Sequence, residues 1–370
     1  MNILKLLLLL TPLSYLTETT MDVWDAKMFF ISAIAVGAGI GKRIFLKGLV
    51  KEDFITQGLF GVILLNIFLH NFDISCIVSG VNILLGVFIA LSVSQCENPR
   101  ELGKWIVAAG LVNVFVLLFQ KLGYNPILTT TPMDYPGGIF GNMPRFTSYL
   151  CVILPFIWEF SIPVALLASV VPLLGDSQNT VILALFIILF FKYGKYTKIL
   201  VIPLFAGACF WKWGEILNSL TVRWTGAGDS YQGWSNILIG FFQHPLKGYG
   251  LGTDPMVPDN IKFDPVMYSS LLLFIVRTGV CGLAWVLFTL KRFKESFNPT
   301  PAGLSILIFI ALSCVEYPFE MKRLWFTLFT IIGIFLSDPC NPSEDPDKPV
   351  INSREPPVPK LVKTILHDQI

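Results

Sequence analysis

The chain has 370 residues, 54% of them hydrophobic and 14% charged, with a formal net charge of +2. A soluble domain carries roughly 25% charged residues, so this composition excludes an ordinary soluble enzyme. The near-neutral balance offers nothing that would attract nucleic acid, and none is expected as a partner.

In chain order the apolar residues fall into about twelve blocks, judged against the ~20 residues needed to cross a bilayer as a helix. They centre on 3–20, 24–41, 54–71, 74–95, 104–122, 146–159, 161–175, 179–193, 198–213, 267–290, 303–317 and 323–337. The expected fold is an all-α integral membrane domain over 1–337. The first block opens with a lysine, as a signal peptide does, but Thr17, Glu18, Thr19 and Thr20 offer no small-residue cleavage site. An uncleaved first span is therefore the reading. The sixth, seventh and eighth blocks are short, and Pro155, Pro163 and Pro172 are expected to kink them.

Basic residues set direction, because cytoplasmic loops are enriched in Lys and Arg. Lys42, Arg43, Lys47 and Lys51 follow the second block, and Arg100 and Lys104 follow the fourth. Lys192, Lys195 and Lys198 follow the eighth, and Lys291, Arg292 and Lys294 the tenth. All are even-to-odd connections, so all fall on one side, and both termini are expected in the cytoplasm. Two longer polar loops, 123–145 and 214–266, then share the outer face, the second with short helices lying on the membrane surface. The tail 338–370 is rich in proline and charge and cannot bury enough apolar area to order itself. No internal repeat is evident.

Seven cysteines and three histidines show no C-x-x-C or H-x-x-x-H spacing, so neither a metal nor another cofactor is expected. The first outer loop ends in PGGIFGNMPRF, where Gly141 permits close backbone approach, Asn142 offers an amide and Arg145 a permanent cation. The second contains WSNILIGFFQHPLKGYGLGTD, with a surface helix over Trp234–Phe242 stopped by His244-Pro245 and a glycine turn at Gly248 and Gly250. Its G-x-G pattern alone is weak evidence for phosphate binding. The tenth block begins near Tyr268 and carries Arg277. An ionisable residue inside a span faces a polar cavity or a partner, or it snorkels; the sequence leaves these open.

Three segments in order resemble the O-antigen ligase and O-antigen polymerase superfamily. FQKLGYNPI…GGIFGN…SYLCVILPF is similar to its G-x-F-G-N-x-N…YL…LP signature. WSNILIGFFQHPLKGYGLGT resembles the W…P-L-x-G-x-G-x-G segment of the large outer loop. YSSLLLFIVRTGVCGL resembles the span that follows, with its H-N-x-x-L-x-x-x-x-x-T-G-x-x-G-L pattern. The likeness covers roughly 100–337. It implies a metal-independent, helical glycosyltransferase acting on undecaprenyl-diphosphate-linked glycan at the outer face of a bacterial cytoplasmic membrane. Lipid-linked oligosaccharide is the implied substrate, and a flippase or chain-length regulator the implied partner. The chain departs from the family at three positions: Tyr268 stands at its histidine, and Gln178 and Ser230 stand at two of its arginines. These departures favour polymerase over ligase and keep a catalytically silent relative in view.

If the enzyme is active, Arg145, Arg223 and Arg277 are the candidates to hold the diphosphate, with Lys247 and Lys262 behind them. Candidates for the base are His244, Asp264 and Glu316. A flippase of lipid-linked oligosaccharide is the alternative class. A transporter tends to show repeated halves and broken helices near mid-membrane.

Overall fold

The computed structural model describes residues 5–9, 54–96, 98–124, 143–173, 178–211, 213–214, 217–218, 221, 241–252, 270–315 and 322–337. Among these residues the secondary structure is helical throughout, with no strand. The main helices are α1 (Phe54–Leu69), α2 (Ile74–Ser94), α3 (Leu102–Lys121), α4 (Met143–Phe160), α5 (Ile162–Leu173), α6 (Gln178–Lys192), α7 (Lys195–Trp211), α8 (Ser270–Ser296), α9 (Pro301–Val315) and α10 (Lys322–Leu336). Their bounds follow most of the apolar blocks from the third onward. Ile74–Ser94, Pro99–Lys121 and Ser270–Ser296 are each long and apolar enough to cross a membrane, and shorter apolar helices pack around them. Helices suit an apolar solvent because every backbone donor within them finds an acceptor inside the same segment.

Local chemistry sets several helix ends. A 3-10 turn, Pro99–Glu101, leads into α3. Thr300 starts α9: its Oγ1 accepts the Gly303 N–H at 3.3 Å, and Pro301 takes the first helical position, where a missing N–H is no loss. Pro163 similarly falls in the first turn of α5, where it opens a helix instead of bending one. Pro155 lies inside α4, which continues to Phe160.

The core is built around α4. Every side chain from Phe146 to Trp158 on this helix is buried, so α4 is enclosed on all sides. α3, α5, α6 and α9 surround it. A second, smaller cluster joins Leu59 and Ile63 of α1, Ile83 of α2 and Leu251. The outward faces carry bare apolar side chains, among them Phe115, Leu167, Leu200 and Leu204. Spread over several helices, such surface suits lipid far better than water.

Contacts fix the helix directions. α1 and α8 are antiparallel: Trp285 Nε1 donates to Ile55 O (2.9 Å) near one end, and Asn66 Nδ2 donates to Arg277 O (3.0 Å) near the other. α2 and α10 are parallel, with Gly86 against the Phe329 ring and Gly333 against Ala90 and Val93. At one end of the bundle Lys192 of α6 pairs with Glu159 of α4, and Gly103 of α3 meets Phe156. Phe191 meets Phe297 at 5.2 Å, and Phe293 meets Phe335 at 5.7 Å. Lys5 reaches Glu101 there at 2.6 Å. Arg100, Lys104, Lys192, Lys195, Lys198, Lys291, Arg292 and Lys294 therefore gather at one end of the bundle. The α1–α2 turn and residues 244–252 lie at the other.

Candidate functional site

The feature that organises this second end is a break in α8. Gly279 has φ 68° and ψ −154°, so the helix is interrupted just after Arg277 and Thr278. The sequence predicted an uninterrupted span here. A break strips carbonyl and amide groups of their helical partners, which is costly in an apolar setting. Residues 244–252 supply the replacements. Tyr249 N–H donates to Val276 O (3.2 Å), Gly250 N–H to Arg277 O (2.9 Å), and Val280 N–H donates back to Pro245 O (2.7 Å). The GYGLG turn is thus stitched into the break.

Such close docking leaves no room for side chains at two points. Gly248 has φ 65°, and a Cβ there would collide with the Arg277 carbonyl. A Cβ on Gly279 would stand 2.8 Å from Pro245 O and 2.9 Å from Gly248 N. Both positions need glycine for conformation and for space.

Asn66 of α1 ties the parts together. It is 2% exposed. Its Nδ2 donates to Lys247 O (3.2 Å) and Arg277 O (3.0 Å), and its Oδ1 accepts from Leu251 N–H (2.8 Å). One buried amide therefore holds the glycine turn, the helix break and α1 in a single frame. Sequence reasoning passed over Asn66. The available signal was a lone amide inside an apolar run, four residues before His70 and so on the same helix face.

His70 follows one turn later, half-buried, with its N–H on Asn66 O at 3.1 Å. Its Nε2 lies 3.1 Å from Lys247 O. Beyond it Asn71 and Phe72 adopt left-handed φ values of 53° and 59°, and Phe72 N–H returns to Ile67 O at 2.9 Å. Asp73 then precedes α2 and accepts from the Ser75 hydroxyl. That hydroxyl holds the Asp73 carboxyl below its ordinary range, aided by the amides of Cys76, Ser75 and Ile74.

The sequence-predicted residues divide into groups. His244, Lys247, Gly248, Gly250 and Arg277 are brought together at the break. His244 is exposed and meets Tyr249 edge-on at 4.9 Å, while Tyr249 OH donates to Gln243 Oε1 at 3.2 Å. The helix expected over Trp234–Phe242 is seen at its end, with residues 241–243 helical before the His244 turn. Lys247 contributes its carbonyl to the frame while its side chain is exposed. Arg277 is only 9% exposed and lies within electrostatic reach of Cys76. Arg145 stands on the first turn of α4, half-buried, on a helix packed mainly by α3, α5, α6 and α9. Arg223, Lys262, Asp264, Tyr268, Glu316, Gly141, Asn142 and Ser230 lie outside the described residues, as do most of the first span, the second span, most of both outer loops and the tail. Gln178 opens α6. Among the described residues no group of three His, Cys, Asp or Glu is placed to hold a metal ion.

The arrangement sets a guanidinium that cannot lose its proton beside a broken helix, with two imidazoles and an ammonium at the rim. Such a set can bind an anion and move a proton. No family model matches the chain, and searches of curated proteins and of solved structures likewise found no match.

Proposed function

We propose that this chain is a bacterial multi-pass membrane glycosyltransferase of the O-antigen polymerase and ligase type. On this reading it transfers or polymerises undecaprenyl-diphosphate-linked glycan on the outer face of the cytoplasmic membrane. One observation supports the reading: residues 244–250 and 276–280, which belong to two different segments that resemble the superfamily, meet at the Arg277–Gly279 break. A chance likeness has no reason to converge on one buried cation.

The chemistry follows from that placement. The donor's leaving group is a lipid diphosphate lying at the membrane surface. Arg277, with Arg145, Arg223 and Lys247, supplies cations that stabilise its developing charge without a metal. The second half of α8 restarts beside Arg277 and adds the positive end of its dipole. The basic end of the bundle is the cytoplasmic one by the positive-inside rule, which puts the break on the outer side. About twelve spans and cytoplasmic termini complete this topology. The departures at Tyr268, Gln178 and Ser230 favour polymerase.

The test is purified protein in liposomes supplied with a lipid-linked oligosaccharide. Lengthening of the glycan, lost in Arg277→Ala, is the expected result. Passage of the oligosaccharide across the bilayer without lengthening would place the chain among transporters. Neither activity, with partner proteins retained in a pull-down, would make it an assembly scaffold.

A further inference from the structure

We infer that His70, on the α1–α2 turn, takes the proton from the attacking hydroxyl, with the Lys247 carbonyl fixing its ring. This rests on the proposed glycosyl transfer and assigns a residue to it that the motif resemblance does not touch. A carbonyl oxygen can only accept, so the contact between Lys247 O and His70 Nε2 at 3.1 Å requires the proton on Nε2. The lone pair is then on Nδ1. Among the described residues no group hydrogen-bonds Nδ1. A Cβ at Gly250 would stand 3.2 Å from Nδ1 and 2.8 Å from Cys76 Sγ, so only glycine lets the turn pass this close to the Nδ1 edge of the half-buried ring. His244, by comparison, has an edge-on ring contact with Tyr249, which does not select a tautomer.

The frame also ties His70 to the backbone at the helix break. Lys247 O accepts from both His70 and Asn66, and Asn66 donates in turn to Arg277 O. The groups placed around His70 are Asp73 on its own turn, whose N–H donates to His70 O at 3.1 Å, Cys76 on α2, and Lys247 and Gly250 on the glycine turn. In the reaction the acceptor hydroxyl oxygen bonds to the donor's anomeric carbon. The bond from that carbon to the diphosphate oxygen breaks, and the diphosphate leaves with the electron pair. The hydroxyl proton passes to Nδ1, and the imidazolium then releases it to water.

The test is His70→Gln in the full chain in liposomes, with lipid-linked oligosaccharide as donor and acceptor. The Gln amide can still donate to Lys247 O but cannot take a proton. We expect kcat to fall by about 100-fold or more with little change in KM, and the acid limb of the pH profile to vanish. Thermal unfolding checks that the variant is folded. His70→Ala with added imidazole provides a second reading, because a diffusing base restores turnover only where a proton acceptor has been lost. Wild-type lengthening that persists in His70→Gln with its acid limb intact would overturn the assignment and leave the transferase reading standing. A folded His70→Ala variant that imidazole fails to rescue would do the same. Absence of lengthening by the wild type itself would overturn both.

Discussion

Asn66 shows how one side chain can organise a site. Its three hydrogen bonds reach partners on two distant segments, and two of the acceptors keep other donors when it is lost: His70 at Lys247 O and Gly250 at Arg277 O. The Leu251 amide has no such substitute in the frame. Asn66→Ala should therefore cost about 1–3 kcal/mol, the range for a buried donor left without its acceptor. Cys76, fully buried beneath Gly250, reports the loosening. We expect faster maleimide labelling of Cys76 in Asn66→Ala, read by peptide mass mapping; unchanged labelling would mean the turn is held elsewhere. Asp73 allows a second test. Its carboxyl is held below 3.8, chiefly by the Ser75 hydroxyl, so its contribution is complete above that value and lost as pH falls through the lowered native one. Amide exchange at Cys76 should accelerate over that acid window, and Asp73→Asn should abolish the acceleration.

Among the elements, α2 and α10 make the most intimate pair. Gly86 lets the Phe329 ring lie directly on the α2 backbone. Gly86→Ala should destabilise by about 1–3 kcal/mol through overpacking. Combining it with Phe329→Leu should recover at least about 1 kcal/mol of the summed single losses, since the two changes share one space. A double-mutant cycle by thermal unfolding in detergent measures this, and strict additivity would contradict the contact. α8 teaches the opposite lesson. Its apolar run reads as one uninterrupted span, and Gly279 alone does not announce a break, because glycine within a helix is tolerated. The break is stable only because another segment satisfies the freed backbone groups.

For the whole molecule, charge and packing agree. Among the described residues, the basic residues that the sequence assigns to even-to-odd connections gather at one end of the helix bundle, and the glycine turn lies at the other. Single cysteines introduced at Tyr196 and Phe72, both well exposed, should react with a membrane-impermeant thiol reagent from opposite sides of sealed vesicles. Labelling of both from the same side would refute the arrangement. Much of this was legible beforehand. Run length and hydropathy are local, one-dimensional properties, so the helices and most of their bounds followed from the chain itself. Charge placement is equally local, which is why the gathering of the described basic residues at one end could be anticipated. The glycine turn and Arg277 were also visible as unusual residues in an apolar context. Their union was not. Asn66 and Lys247 are separated by 181 positions, and Asn66 and Arg277 by 211. No periodicity links residues at such distances, and a lone Asn or His in an apolar run has many possible partners. Only the tertiary structure decided that α8 breaks, that Asn66 bridges the break, and that His70 stands over it, because backbone groups stripped of their own helix must be paired wherever the fold brings a partner within reach.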